Sequence, residues 1–474
     1  MHQFVPPSIL KRLLLPLICL VLAASSPASA ANGESVTLTI PQVRAAARSA
    51  LDEGQPQLAY KLAQGLLAAD PRDPLAYYLI ARAMQQMNDP RLGRRAATYA
   101  FRYAKRPDDR FAAAQLAARL SYDSKQYTRA QYWLRRSLDV APDDRLRAQT
   151  IRDFKRVGAA NPWIVRLQFS IAPSDNVNSG AATDRLTVDG DPWFDWPISS
   201  DGQALSGVVA ASTFDASYRL RMNRASETRL TAKLSTRQVF LSSEAQAMVP
   251  AGITGRDFSS STAEIGVIHS FRLGQRPDRE KGNGYGRFYF ALGQSWYAQA
   301  PYLRYARLGA ERGFTFDRNR ALRFGASITR RDYRDPFPAN VFELRADYSQ
   351  KLETGARIAT GLVLGRTVSD GNNRQHDRAS AYLNYQPAQR LGPAKLSLTV
   401  GAGIIDYPRY NLFVPVLGGR EDTSIFGALT LQFDKLDYAG FSPAVTVRAR
   451  KSNSNISRFD TSELTLSIGI KSNF

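Results

Sequence analysis

Residues 464–471 read Leu-Thr-Leu-Ser-Ile-Gly-Ile-Lys, and the sequence closes on Phe474. Successive side chains of an extended strand point to opposite sides. Leu464, Leu466, Ile468 and Ile470 therefore share an apolar face, and Thr465, Ser467, Gly469 and Lys471 share a polar one. An ordinary half-buried strand has this pattern, and so does a strand held between lipid and water. The preceding residues separate the two.

From Asn161 onward the same alternation recurs. Trp163, Val165, Leu167 and Phe169 oppose Arg166, Gln168 and Ser170; Phe288, Phe290 and Leu292 oppose Arg287, Tyr289 and Ala291. Leu322, Phe324, Ala326 and Ile328 oppose Arg323, Gly325, Ser327 and Thr329, and Phe342, Leu344 and Ala346 oppose Glu343, Arg345 and Asp347. Fourteen such segments begin near residues 163, 207, 228, 258, 285, 302, 321, 340, 356, 377, 394, 421, 441 and 461. Long connections (172–206, 241–256, 406–420) alternate with shorter turns (222–227, 315–320, 352–355, 435–440). The 273–284 connection is longer than this alternation expects, and 297–301 is shorter. An even strand number with alternating loop lengths predicts a 14-stranded antiparallel transmembrane β-barrel over residues 161–474. A soluble β-sandwich would not carry a polar face so regularly dotted with Arg and Gly. The last strand resembles the closing strand of a bacterial outer-membrane barrel. That likeness implies an assembly signal in Leu466, Ile468, Ile470 and Phe474, read by the barrel-insertion machinery.

A cation near mid-membrane on the lipid face costs roughly 2–4 kcal/mol, so charges on these strands are expected in the lumen. The candidates are Arg166, Arg287, Arg323, Arg345, Arg448 and Arg450. They either attract anions or are hydrated and cross-paired with acids such as Glu264, Glu343 and Asp347. The whole chain has 63 Lys+Arg against 42 Asp+Glu, a formal +21. Its basic residues are scattered through the strands rather than gathered in blocks, which argues against a nucleic-acid partner.

At the other end, Lys11 and Arg12 precede an apolar run, Leu13 to Ala24, and Ala28-Ser29-Ala30 offers a small-residue cleavage site. Residues 1–30 read as a signal peptide. Cys19, the only cysteine, leaves with it, and Ile18 is too large for a lipoprotein cleavage pattern. Residues 31–160 are rich in Ala, Leu and Arg and favour helix. Breakers recur at Asp70-Pro71, Arg106-Pro107 and Ala141-Pro142, and small residues recur at Ala59, Ala96 and Ala130. This spacing looks like three degenerate tetratricopeptide repeats, an α-solenoid, with Pro ending each second helix. Such stacks leave a concave surface suited to extended peptide. The groove reading selects Tyr77, Arg82, Tyr103 and Tyr127; the plainer reading is that these aromatics fill space between helices.

Catalytic chemistry finds little support. His269 and His376 are the only histidines beyond the leader, and no Cys/His cluster has zinc spacing. Gly282, Gly284 and Gly286 lack a phosphate-binding continuation and read as a turn. His269 falls with Ile265 and Val267 on an apolar face. No catalytic, metal or cofactor residue is assigned, and the chain is expected not to be an enzyme.

The junction reads Asn161-Pro162-Trp163, a strand, then Ala172-Pro173-Ser174-Asp175-Asn176-Val177-Asn178. Behind tetratricopeptide-like helices and ahead of fourteen strands, it resembles the surface lipoprotein assembly modulator (Slam) family. The matching residues are Asn161, Pro162, Ala172, Pro173, Asn176 and Asn178. The resemblance implies a barrel in the bacterial outer membrane and helices in the periplasm. It also implies a client protein, either a surface lipoprotein or a secreted haem- or metal-scavenging protein, that is delivered to the cell surface. It carries over no catalytic residue and no cofactor. The alternative is an outer-membrane exporter or channel for acidic polysaccharide or small anions.

Overall fold

The computed structural model describes residues 38–274, 284–436 and 441–472. The expected leader (1–30), the Lys281-Gly282-Asn283 turn and Phe474 lie outside them. Among the described residues, seven helices come first: α1 Ile40–Asp52, α2 Pro56–Ala69, α3 Pro74–Gln86, α4 Pro90–Tyr103, α5 Pro107–Asp123, α6 Tyr127–Leu138 and α7 Asp144–Ala160. Proline opens α2, α3, α4 and α5, where its fixed φ suits a helix start and its missing N–H leaves no bond unmade. Pro107 thus begins α5 rather than ending α4, which stops at Tyr103. Asp73, Asp89 and Asp143 cap α3, α4 and α7 by accepting from the backbone N–H of Leu75, Leu92 and Leu146.

The helices pack as antiparallel pairs around small side chains. Ala59 and Ala130 are fully buried and Ala96 is 7% exposed, as the repeat spacing requires. Two apolar clusters run through the stack, one centred on Leu79 and Ala63, the other on Leu120, Ala97, Phe101 and Trp133. No helix among the described residues is long and apolar enough to cross a membrane.

After Asn161 the chain builds a closed antiparallel barrel of fourteen strands. They are β1 Trp163–Ser174, β4 Gly207–Met222, β5 Ser226–Leu241, β6 Ser260–Leu273, β7 Gly284–Tyr297, β8 Ala300–Thr315, β9 Arg320–Tyr333, β10 Ala339–Lys351, β11 Arg357–Ser369, β12 His376–Gln386, β13 Lys395–Tyr407, β14 Arg420–Gln432, β15 Phe441–Ser454 and β16 Thr461–Ser472. β16 pairs with β1 to close the ring, leaving no open sheet edge. The remaining strands, β2 Arg185–Val188 and β3 Asp191–Pro197, form a hairpin inside the first long loop.

Phe288, Phe290, Leu292, Leu344, Leu464, Leu466, Ile468 and Ile470 are all 44–60% exposed on the outward face. In water that belt would be unfavourable; in hydrocarbon it matches its surroundings, and the fold is that of an outer-membrane barrel. A spanning strand needs roughly 9–11 residues, so the longest strands, at 16 residues, project beyond the lipid. Helices and the end of β16 share one mouth, called here the near end. The long loops 175–206, 242–259 and 408–419 are at the far end, whereas residues 298–299 there make a two-residue turn. Ala298 and Gln299 both have positive φ, 48° and 63°, the geometry that matches strand twist in a tight hairpin.

Inward-facing tyrosines lie over glycines of the neighbouring strand. Tyr289 covers Gly309, and Tyr305 covers Gly293. A Cβ on either glycine would overlap the ring. Gly309→Val is therefore expected to lower barrel stability by about 1–3 kcal/mol, the usual cost of overpacking. Thermal unfolding in detergent measures this, and adding Tyr289→Ala should recover part of the loss.

Candidate functional site

Helices α1, α3 and α5 line one side of the stack. On α3, Leu75, Tyr78, Leu79 and Arg82 recur at helical spacing and face the same way. They open on a groove of about 640 Å³ whose polar lining includes Arg44, Arg48, Asp52, Arg82, Arg106 and Asp109. Arg44 Nη2 donates to Asp73 Oδ2 at 2.9 Å, while its buried Nε has no acceptor. Arg48 and Arg82 have no ion-pair partner among the described residues. The groove therefore offers free cations beside an aromatic ring and a small-residue floor of Ala112 and Ala113.

Of the four side chains expected there, Arg82 reaches the groove. Tyr77 and Tyr103 instead stack with Tyr99 on another face, with ring centroids 5.7 Å apart for Tyr77–Tyr103 and 5.2 Å for Tyr77–Tyr99. Tyr127 packs edge-on against Tyr122 at 5.5 Å. Here the space-filling reading describes the molecule. Burial, with Tyr103 and Tyr99 alongside, pushes the Tyr77 phenol above its ordinary value. Tyr78 rather than Tyr77 faces the groove because adjacent helical residues are about 100° apart. Tracing the helical phase back from Arg82 would have found it.

The helical stack is fixed to the barrel rim. Arg219, near the end of β4, donates from Nη2 to the carbonyl oxygens of Ala159, Ala160 and Asn161 at 2.9, 3.0 and 3.1 Å. These are the last carbonyls of α7, where a cation also complements the helix dipole. Asn161 is 4% exposed; its Nδ2 donates to Gln131 Oε1 at 2.8 Å, and its Oδ1 accepts from the Trp163 N–H at 3.0 Å. The Pro162 carbonyl accepts from the Arg219 N–H at 2.8 Å. Ala172 and Pro173 lie in β1. Asn176 and Asn178 brace the first far-end loop: Asn178 Nδ2 donates to the Gln203 carbonyl at 2.7 Å, and its Oδ1 accepts from Leu205 N–H at 2.9 Å.

The lumen has two unlike walls. On β6–β12 several charges are cross-paired. Arg287 Nη1 lies 3.0 Å from Glu311, Arg323 and Arg345 both lie 2.8 Å from Asp347, and Tyr382 donates to Asp347 at 2.8 Å. Arg307 and Tyr305 share Glu264. Glu311, Arg307, Tyr305 and Tyr382 were not singled out in the sequence, because a cross-strand partner is named only once register is known. On the other wall, Arg166, Arg448 and Arg450 have no ion-pair partner among the described residues. His269 faces outward, its Nδ1 2.9 Å from Thr228 Oγ1. No group of three or more His, Cys, Asp or Glu among the described residues could hold a metal.

At the far end, loop 175–206 is bound to its neighbours by two apolar clusters. Val177 and Leu205 pack with Val239 and Val249, while Val188 and Phe194 pack with Tyr410, Val416 and Ile456.

No family model matches the chain, and no curated protein matches it. Among solved structures, the helical part is similar to the Type III secretion translocator chaperone SycD of Yersinia enterocolitica. That match has 17% identity and a TM-score of 0.24, covering 26% of this chain and 84% of that one. The barrel part is similar to a loop L8 deletion mutant of OmpT, an outer membrane protein of Vibrio cholerae, with 10% identity and a TM-score of 0.34, covering 65% of this chain and 98% of that one. It is also similar to an outer membrane channel from Pseudomonas putida F1, with 9% identity and a TM-score of 0.34, covering 65% and 95%.

Proposed function

We infer that this protein is an export accessory of the surface lipoprotein assembly modulator type. In this reading the helices stand in the periplasm, the groove takes an extended segment of a client protein, and the barrel passes or presents that client at the cell surface. The observation that supports it is the groove in which Arg48 and Arg82 have no ion-pair partner among the described residues, joined through α7 and Arg219 to the mouth of a membrane barrel. A carboxylate-bearing peptide would satisfy both arginines by charge-assisted hydrogen bonds.

The test is charge reversal in the full chain. Arg48→Glu with Arg82→Glu is expected to cut surface display of the client tenfold or more, read by surface proteolysis of intact cells, with the barrel's heat-modifiable migration unchanged. Undiminished display would overturn the reading.

Arg166, Arg448 and Arg450, which have no ion-pair partner among the described residues, favour a second reading, a channel or exporter for acidic polysaccharide or small anions. An anion-selective pore in planar bilayers that loses selectivity in Arg448→Glu/Arg450→Glu, without any effect on a client, would establish that one instead.

A further inference from the structure

Across β7–β11 the outward wall is hollowed. Phe288, Ala310, Ala326, Leu344 and Leu364 are successive register partners in one row, and the two alanines leave a trough between larger side chains. A furrow of about 700 Å³ runs over them, and a second of about 560 Å³ is lined by the same five residues, so the two are continuous. Both lie on the face that meets hydrocarbon, where a trough of this shape takes an acyl chain.

Charged side chains stand at the far-end margin of the furrow. Arg366 and Asp377 line it, opposite each other on β11 and β12. Arg330 lies one row further out on β9, and Arg304 beyond it on β8, opposite Asp332. All share the outward face, because partners across an antiparallel ladder point the same way. A cation on that face is costly at mid-membrane and nearly free beside the headgroups, so these arginines mark headgroup depth. Arg366 Nε and Nη2 each donate to Asp377 at 2.7 Å, and Arg330 Nε lies 3.1 Å from Asp332. A guanidinium has more N–H donors than one carboxylate occupies, and the Arg366 and Arg330 side chains are 68% and 48% exposed. Arg304 has no ion-pair partner among the described residues. The two-residue turn at 298–299 raises no loop above β7 and β8, which leaves room for a headgroup there.

The sign of the charge changes at Asp377. Asp377, Asp406 and Glu421 are register partners on β12, β13 and β14, again facing outward. An anionic headgroup is therefore repelled from that side and drawn to the arginines, beneath which the furrow runs.

We propose that the furrow binds one anionic, phosphate-headed lipid, with its phosphate on Arg304, Arg330 and Arg366 and an acyl chain over Ala310 and Ala326. The site belongs to the barrel and does not depend on the client-delivery reading.

Native mass spectrometry of the whole protein in detergent, titrated with lipid A, phosphatidylglycerol or phosphatidylethanolamine, tests it. The first two are expected to bind about tenfold more tightly than phosphatidylethanolamine, whose ammonium cancels the phosphate charge. Arg304→Glu should remove that preference. Ala326→Trp, which fills the trough from the lipid side, should weaken all three lipids. Lys451→Glu, an outward cation on β15 away from the furrow, should change neither. Heat-modifiable migration checks folding, and Arg304→Gln takes the place of the glutamate variant if that one does not fold. Equal binding of the three lipids, or a preference that survives in folded Arg304→Glu or vanishes in Lys451→Glu, overturns the anionic lipid. Undiminished binding in Ala326→Trp overturns the furrow. A dimer that Ala326→Trp dissociates would make a second copy the occupant and overturn the proposal as well.

Discussion

Arg420→Ala is expected to destabilise the barrel by about 3–5 kcal/mol, the range for removing one partner of a buried ion pair. Arg420 and Asp422 are 13% and 7% exposed at the side chain, and meet through two contacts, Nε–Oδ1 at 2.9 Å and Nη2–Oδ2 at 2.6 Å. The guanidinium also lies 3.2 Å from the centroid of the Phe459 ring and 4.6 Å from that of Tyr407. Truncation strands the Asp422 carboxylate and removes the cation shared by Phe459 in a far-end loop and Tyr407 at the end of β13. Thermal loss of heat-modifiable migration reads the change. Replacing both partners, as Arg420→Met with Asp422→Leu, should cost less than the single truncation, because no charge is left without a counterpart. If the single variant melts with the native protein, the pair does not hold the loops.

Leu120→Ala should cost the helical region about 2–5 kcal/mol and leave the barrel untouched. Leu120 is fully buried on α5 against α4, where the space beside Gly93 is already tight: a Cβ there would stand 3.3 Å from Leu120 Cδ1 and 3.1 Å from Met84 Cβ. The helical clusters contain no barrel residue, so the loss is confined to one region. Denaturation followed by the helical circular-dichroism signal should shift, while barrel migration should not. A matching shift in both would mean that the α7–Arg219 junction couples the two regions into one folding unit.

Strand positions were legible in the sequence to within two residues, from β1 at Trp163 to β16 at Thr461. A lipid-facing surface imposes a period of two on every strand, and the residues themselves carry that period. The helical repeat was legible for a related reason: close crossings demand small side chains, and Ala59, Ala96 and Ala130 supply them. The groove was less legible. Tyr77 and Tyr78 are equally aromatic, and only the helical phase sends one outward to Tyr99 and the other to the groove. Asn176 and Asn178 stand in the sequence only as part of a junction pattern, yet each is a brace, and Asn176 bonds to a strand 286 positions away in the chain.

By itself the sequence determined what each segment is and which of its faces meets lipid or a helical neighbour, because those are local properties of composition and period. Tertiary structure alone decided which charges are neutralised and which strands close the ring. Arg323 meets Asp347 while Arg448 has no ion-pair partner among the described residues, and β1 pairs with β16, because each partner is set by strand register and by closure of the cylinder. Neither is written in any single stretch of residues.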